Sequence, residues 1–156
     1  MEIVIRPDDL ADGEVIALLE QHHREMQQYS PPESIHALNR ADFFDPALTF
    51  WSARDGDNLA ACGALRQLST DQGEIKAMRT AARYLRKGIA EKVLLRILAE
   101  ARLRGYRTLN LETGSHEAFL PAIGLYQKYG FRECEPFGDY EPDPYSRFFE
   151  LAISDV

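Results

Sequence analysis

This 156-residue chain has the composition of a folded globular protein, with 45% hydrophobic and 28% charged residues. A chain of this length can bury a core without a metal or a disulfide, and its apolar content excludes a disordered polymer. The formal net charge of -7 disfavours nucleic acid and anionic membranes as main partners, because both attract basic surfaces. The two cysteines, Cys62 and Cys134, lie in apolar stretches, and we predict buried hydrophobic residues there rather than a disulfide or a metal pair.

The amino-terminal segment lacks the pattern of a signal peptide. Residues 1–6 have neither a basic start nor a long apolar run. No stretch of the chain approaches the ~20 apolar residues that cross a bilayer. We therefore expect a cytoplasmic protein.

Hydrophobic periodicity predicts one long helix and three strands in the first part of the chain. Apolar residues three and four apart indicate a helix from Asp12, a suitable N-cap, to Met26. The prolines in residues 30–34 predict a loop without regular structure, and a short helical turn is predicted around residues 35–38. The strands are predicted at residues 3–5, which Pro7 ends, at 49–53, and at 59–68 after the hairpin turn of residues 55–58.

The second part of the chain is predicted to alternate strands with helices. One apolar helix face begins near Gly88 and ends at Gly105, and Pro121 and Gly130 mark the ends of a helix over residues 120–129. Further strands are predicted at residues 74–80, 108–112, 131–135 and 148–153. The order β-α-(α)-β-β-β-α-β-α-β-β predicts an α/β fold, a mixed central sheet flanked by helices, in a single domain over residues 1–156.

A candidate anion site opens the helix that begins near Gly88. The run Arg86-Lys87-Gly88-Ile89-Ala90 places two cations and two small residues at a helix N-terminus, where free N–H groups attract phosphate. The alternative is an ordinary solvated surface, since basic residues are common before helices. This feature alone does not decide between the two.

Two segments taken together resemble signatures of the GCN5-related N-acetyltransferase (GNAT) family. The first is the strand Glu74-Ile75-Lys76-Ala77-Met78-Arg79-Thr80, followed after a loop by Lys87-Gly88-Ile89-Ala90, and it is similar to the acetyl-CoA-binding segment. The second, Gly124-Leu125-Tyr126-Gln127-Lys128-Tyr129-Gly130-Phe131, is similar to the family's Leu-Tyr helix closed by Gly-Phe. One helix and one strand separate them, as in the family, and the resemblance covers essentially the whole chain.

Smaller details resemble a bacterial subgroup labelled indoleacetate acetyltransferases, among them residues 30–38 and Leu111-Glu112-Thr113-Gly114. The chain also departs from the family pattern. Leu85 replaces Gln or Arg, Ala82 replaces Pro, and Phe119 stands where many members carry an Asn that contacts the cofactor. Leu85 removes one side-chain contact to the pyrophosphate of the cofactor, and we expect Arg86 to supply a replacement cation.

The resemblance implies an enzyme without a metal, in which a primary amine attacks the thioester of acetyl-CoA directly in a ternary complex. The implied acceptor is a small-molecule or peptide amine, and whether the protein forms a homodimer is left open. One alternative is a non-catalytic acyl-CoA-binding sensor or regulatory module on the same fold. Another is an anion- or nucleotide-binding enzyme, although the chain has no Walker-type phosphate loop.

Catalytic roles follow from the resemblance residue by residue. Tyr126 matches the tyrosine that protonates the leaving thiolate, although it, or Tyr129, could instead be an aromatic core residue. Glu74 matches the general base of the histone-acetylating branch, and we expect its side chain to share a strand face with Lys76 and Met78. Glu112 is a rival base, and His36 and His116 are weaker candidates.

The resemblance also implies two binding regions. Residues expected to bind the cofactor are Met78 and Thr80, through backbone groups, and Arg86, Lys87, Gly88, Ile89 and Ala90. The acceptor pocket is expected to draw on His22, Tyr29, Ser30, His36, Tyr140 and Tyr145. The acidic, aromatic segment of residues 138–145 could receive a cation or could be a plain surface connection.

Overall fold

The computed structural model describes residues 1–36, 38 and 41–153. Within them, seven strands form one mixed sheet with three α-helices on its faces, in the predicted order. The strands are β1 (Ile3–Asp8), β2 (Leu48–Asp55), β3 (Asn58–Gln67), β4 (Gln72–Thr80), β5 (Thr108–Gly114), β6 (Arg132–Cys134) and β7 (Ser146–Ala152). The helices are α1 (Glu14–Met26), α2 (Ile89–Leu103) and α3 (Leu120–Lys128), with short 3-10 turns at Pro32–Ser34, Ala82–Tyr84 and Glu117–Phe119.

Several predicted boundaries need correction. β1 continues through Pro7, because β1 is an edge strand and its outer side needs no N–H. Helix α1 has Gly13 rather than Asp12 at its N-cap, although the Asp12 carboxylate still accepts the Glu14 N–H at 3.0 Å. Residues 30–34, predicted to be irregular, include a 3-10 turn. The helical turn predicted at residues 35–38 falls partly outside the described residues, and Ile35 itself is extended.

The sheet runs in the order β1-β2-β3-β4-β5-β7-β6, and only β4 and β5 are parallel neighbours. Their pairing covers Gln72–Thr108, Gly73–Leu109 and Glu74–Asn110. Beyond Glu74, β4 continues to Thr80 without β5 as a partner. The two strands therefore splay apart, and the sheet has an opening near its centre.

Two apolar clusters cover opposite faces of the sheet. The larger packs α2 and α3 against the strands, and the smaller packs α1 against β2 and β3. Neighbouring residues of β3 divide between them, since Ala61 and Leu65 belong to the larger cluster, and Cys62 and Ala64 to the smaller. We call these the α2–α3 face and the α1 face.

A bulge interrupts β4 at Ala77, whose φ is +58°. Gly63 of β3 lies opposite both Ala77 and Met78, because the pairing shifts between Cys62 and Ala64. The extra residue reverses the alternation of side chains, so Met78 packs on the α2–α3 face while Ala77 packs on the α1 face. The expectation that Met78 shares a face with Glu74 is therefore wrong.

A buried arginine fastens the start of α1 to the sheet. The Arg54 guanidinium, on β2, forms ion pairs with Asp8 at 3.2 Å, with Asp12 at 3.1 Å, and with Glu14. The side chains of Arg54 and Asp8 are almost fully buried, and such a charge is tolerated only when it is paired. This cluster fixes where α1 begins relative to β1 and β2.

The two cysteines differ from each other. Cys62 is buried, as predicted, whereas Cys134 is only half-buried on the edge strand β6, and both are free thiols. Across the described ranges, no helix has the length and apolar character that a membrane crossing requires.

Candidate functional site

The loop between β4 and α2 presents an open N-terminus to solvent. Arg86 and Gly88 both adopt left-handed backbone conformations, with φ of +63° and +75°. Gly88 is the N-cap of α2, no side chain caps the helix, and a Cβ built on Gly88 would meet no heavy atom within 4 Å. Arg86 and Lys87 are exposed beside it. The residues predicted to bind phosphate therefore form an open, positively charged turn with free N–H groups.

Leu85, the main departure from the family pattern, lies at the edge of this turn. It is extended and half exposed, with 51% of its surface accessible. The turn is anchored by Tyr84, which is buried and donates its hydroxyl to Asp55 at 2.8 Å. The shape of the phosphate turn thus depends on backbone conformation and on Tyr84 rather than on residue 85.

The part of β4 that pairs with β3 but not with β5 leads from this turn towards the centre of the sheet. Residues 75–80 lie beyond the last β4–β5 pair, so this edge of the backbone has no strand against it. Met78 and Thr80, predicted to pair with the cofactor through their backbone, lie on this segment. An extended ligand chain can add to such an edge as a strand would.

Tyr126 lies on the α2–α3 face, within the larger apolar cluster. Its ring packs edge to face against Phe131 with centroids 5.8 Å apart, and only 7% of the residue is exposed. Burial raises the pKa of the Tyr126 hydroxyl, so the proton is held firmly. Tyr129 is half-buried at the end of α3, with the Lys128 ammonium over its ring. Of the two tyrosines, Tyr126 is the core residue.

Glu74 lies on the α1 face, where β4 leaves β5, and it is held by two side chains. The Tyr140 hydroxyl donates to Glu74 Oε2 at 2.6 Å, and the Lys76 ammonium lies 3.4 Å from the same oxygen. Lys76 also donates to the Tyr140 hydroxyl at 3.0 Å. Glu74 is only 4% exposed, so these partners satisfy a buried carboxylate.

Glu112 lies on the splayed part of β5 and is less enclosed than Glu74. Burial raises the pKa of the Glu112 carboxyl from 4.5 to about 7. The negative charges of Glu74 and Asp143 act in the same direction, and the Ser146 hydroxyl and the Lys76 ammonium oppose them. A carboxyl with this pKa can accept and return a proton near neutral pH.

The structure brings together only part of the predicted acceptor pocket. The His36 and Tyr140 rings meet edge to face, with centroids 5.0 Å apart, above Glu74. Tyr29 lies elsewhere. Its ring centroid is 4.5 Å from that of His116 and 6.1 Å from that of Phe119. The remaining members are dispersed: Ser30 is buried, Tyr145 is largely exposed, and His22 is half-buried on α1.

Phe119 and His116 fill the end of β5. A Cβ on Gly114 would lie 2.3 Å from the Phe119 ring, so this glycine is required for the ring to pack there. His116 Nδ1 accepts the Ala118 N–H at 3.0 Å and caps the short turn before α3. His116 thus has a structural role in this loop.

Sequence reasoning missed two polar pairs near the site, Arg79 with Glu25 and Ser34 with Asp143. Arg79 of β4 forms an ion pair with Glu25 of α1. The pKa of His22 is lowered to about 4, mainly by burial and to a smaller extent by the positive charge of Arg79. Ser34 donates to Asp143 across 109 residues of chain, and no local pattern could have indicated that pair.

Comparisons with known proteins identify a matching family and similar sequences. The sequence profile of the Acetyltransferase (GNAT) family matches residues 15–131. The chain is 54% identical over 149 residues to the uncharacterized N-acetyltransferase YsnE of Bacillus subtilis, covering 96% of this chain and 99% of that protein. It is 36% identical over 152 residues to an IAA acetyltransferase of Azospirillum brasilense, and the match covers 96% of this chain and 97% of that protein.

Solved structures share the fold. The PaiA N-acetyltransferase of Thermoplasma acidophilum, in complex with coenzyme A, superposes with a TM-score of 0.76 at 16% identity, covering 98% of this chain and 100% of that one. A GNAT family acetyltransferase of Elizabethkingia anophelis with acetyl-CoA bound superposes with a TM-score of 0.68 at 19% identity. The match covers 97% of this chain and 98% of that one.

Proposed function

Because this chain belongs to the acetyltransferase (GNAT) family, we propose that it transfers the acetyl group of acetyl-CoA to a primary amine by direct attack in a ternary complex. One observation carries the proposal. The opening between β4 and β5 joins a face that holds Tyr126 to a face that holds Glu112 and Glu74. An acid and a base can thus reach one reacting centre from opposite sides.

The donor site fits the residues that are present. The open turn at Arg86, Lys87 and Gly88 offers N–H groups and cations to a pyrophosphate, and the free edge of β4 offers Met78 and Thr80 to an extended arm. Acetyl-CoA supplies the activated thioester carbonyl carbon. Backbone groups of the bulge at Ala77 and Met78 would orient that carbonyl.

We assign the base to Glu112 rather than to Glu74. Both oxygens of a carboxylate can accept protons, but Glu74 is enclosed and already accepts from Tyr140 and faces Lys76. Glu112 has a pKa of about 7 and remains partly accessible. It takes the proton that the ammonium of the acceptor must lose before the nitrogen can attack.

The remaining steps balance the proton count. The N–C bond forms as the C–S bond breaks, and the sulfur leaves with the electron pair. The Tyr126 hydroxyl, which makes no hydrogen bond among the described residues, donates its proton to that sulfur. After attack the nitrogen still carries a positive charge, and its second proton restores the Tyr126 hydroxyl. The proton held by Glu112 passes to solvent, so that one proton is released for each amide formed.

The alternative of a non-catalytic acyl-CoA-binding module is less well supported. Such a module needs the phosphate turn but has no use for a carboxyl with a pKa of about 7 beside the opening. The sequence relatives are moreover named N-acetyltransferases.

The first experiment is a thermal melt with and without acetyl-CoA, with NADH and ATP as controls. We expect only acetyl-CoA to raise the melting temperature, because binding to the folded state stabilises it by mass action. Thiol release is then measured with a panel of primary amines, to which IAA is added because one relative is named for it. Absence of any shift at millimolar acetyl-CoA would contradict the proposal.

A further inference from the structure

The loop between β6 and β7, residues 135–145, covers the α1 face where β4 and β5 separate. Tyr140, at its centre, reaches down to Glu74 and Lys76 with hydrogen bonds of 2.6 and 3.0 Å. Glu74 forms the last β4–β5 pair, so this anchor lies at the point where the opening begins. The tip of the loop is therefore fixed to the floor of the acceptor side. We call residues 135–145 the roof loop.

The far end of the roof loop is tied to the end of β5. The Ser115 N–H donates to the Tyr145 carbonyl at 3.0 Å, and its hydroxyl donates to the Pro144 carbonyl at 2.8 Å. Pro142 and Pro144 limit the backbone freedom of this stretch. The roof loop therefore cannot rise from the β5 side without losing two hydrogen bonds.

A third tie joins the roof loop to the segment after α1. The Ser34 hydroxyl donates to Asp143 Oδ2 at 2.6 Å, and the His36 ring packs against Tyr140. Ser34 is only 5% exposed, and its hydroxyl, with the Tyr145 N–H, holds the pKa of Asp143 below its ordinary value. Asp143 is thus charged at neutral pH, and the hydrogen bond it accepts is a charge-assisted one.

These ties decide which acceptors can reach Glu112. An extended polypeptide laid across the opening would need the space between the segment after α1 and the roof loop. That space is spanned by the Ser34–Asp143 hydrogen bond and by the His36–Tyr140 contact. Below these contacts lie the carboxylates of Glu74 and Glu112, the Lys76 ammonium and the Tyr140 ring.

We propose that the acceptor is a free small-molecule amine enclosed under the roof loop, and that the Ser34–Asp143 hydrogen bond keeps polypeptide amines out. This inference rests on the proposed function and narrows its acceptor class. Two carboxylates, Glu74 and Glu112, lie beside one ammonium, Lys76, under the roof loop, and this excess of negative charge favours a cationic acceptor. The His36 and Tyr140 rings offer it an apolar side.

The test compares acceptor classes in the whole protein. Small primary amines, a lysine-containing peptide with a free N-terminus and a folded lysine-rich protein are each incubated with acetyl-CoA, and CoA release and mass are recorded. We expect acetylation of small amines alone. Comparable kcat/KM for the peptide or the folded protein would overturn the inference and leave the acetyl-transfer proposal intact.

The Ser34–Asp143 hydrogen bond, which we call the latch, is tested with Ser34→Ala and Asp143→Asn. A matched control is Ser69→Ala, which removes a similar serine–aspartate hydrogen bond, to Asp71 at 2.9 Å, in an exposed turn between β3 and β4. Loss of the Ser34–Asp143 hydrogen bond is expected to raise KM for the best small amine about 10-fold, the change that about 1.4 kcal/mol of binding free energy produces. The control should leave KM unchanged.

Limited chymotrypsin cleavage after Phe137 and Tyr140 gives a readout that needs no acceptor. Both latch variants are expected to be cut faster than the wild type, because cleavage follows local opening. Equal cleavage in the wild type and in both latch variants would overturn the inference. If no acceptor of any class releases CoA, the acetyl-transfer proposal fails, and cleavage alone still decides whether the roof loop is closed.

Discussion

Glu74 and Glu112 lie beside the opening between β4 and β5, yet their surroundings suit them to different chemistry. Glu74 is buried, accepts a short hydrogen bond from Tyr140 and faces Lys76, which suits a fixed charge that positions its neighbours. Glu112 has fewer partners and a pKa of about 7, which suits proton transfer. From the sequence, both were candidate bases of similar weight, because residue spacing predicts neither the burial of a side chain nor its contacts with residues far along the chain.

The pH dependence of the reaction tests this assignment. Since the pKa of Glu112 is raised to about 7, the base form is present above that value, and kcat/KM should rise as the pH increases through 7. Glu112→Gln is expected to lower kcat/KM by ~10²–10⁴-fold and to remove this rise. Glu117→Gln, at an exposed position on the adjoining loop, serves as the control and should keep both rate and profile. An unchanged acidic limb in Glu112→Gln would return the role to Glu74.

Tyr126 offers a second test at the level of single atoms. Its hydroxyl has no hydrogen-bond partner among the described residues, so Tyr126→Phe should leave the free energy of unfolding nearly unchanged. The rate of thiol release should nevertheless fall by ~10²–10⁴-fold if the hydroxyl protonates the sulfur. Tyr129→Phe, three residues on, is the matched control and should retain the rate. Equal rates in both variants would show that Tyr126 only packs the core.

At the scale of elements, the N-termini of α1 and α2 can be compared directly. Both begin at a glycine with nearly the same left-handed conformation, φ +74° at Gly13 and +75° at Gly88, and neither would meet an atom within 4 Å through an added Cβ. They differ in surroundings, because Gly88 follows two cations and Gly13 follows the acidic Asp12. Only the α2 terminus is therefore suited to an anion.

Alanine at each glycine separates backbone strain from ligand binding. Both Gly13→Ala and Gly88→Ala should cost about 1–2 kcal/mol in the free energy of unfolding, because both force a side chain into a left-handed conformation. Only Gly88→Ala should also weaken acetyl-CoA binding, measured by calorimetric titration. Equal affinity in the two variants would move the phosphate site away from the α2 terminus.

Sequence patterns predicted every strand and α-helix of the fold, and the family they indicated is confirmed. Local signals sufficed there: apolar spacing for α2, a turn motif for the β2–β3 hairpin, glycines at helix ends. They could not predict the bulge, since Ala77 is an ordinary strand residue whose left-handed φ is imposed by the pairing with β3. Nor could they predict the Tyr140–Glu74 bond, which joins positions 66 residues apart.

At the scale of the whole molecule, the sheet consists of two parts that meet at a short joint. Strands β1 to β4 form one part and β5, β7 and β6 the other, and three residue pairs connect them directly. The predicted extent of one domain over residues 1–156, the cytoplasmic location and the question of a homodimer stay predictions. The joint, however, has a measurable consequence for donor binding.

Hydrogen–deuterium exchange should report the donor in the opening. Without ligand, those amides of residues 75–80 that face away from β3 are expected to exchange faster than the amides of the central strand β3. Acetyl-CoA should protect residues 75–80 and leave β3 unchanged, because the extended arm adds to the free edge of β4. Uniform protection across the sheet would instead indicate general stabilisation without strand-like pairing.

The bulge at Ala77 also bears on how this scaffold can change over generations. In a strand of unbroken alternation, an inserted residue moves every following side chain to the opposite face. Here the alternation restarts at Ala77, so that Glu74 and Lys76 come before the restart and Met78 and Thr80 after it. Under the proposed function, substitutions of Glu74 and Lys76 would change the amine side, and those of Met78 and Thr80 would change the side that holds the acyl carrier. The two sides of the reaction could then change independently along one strand.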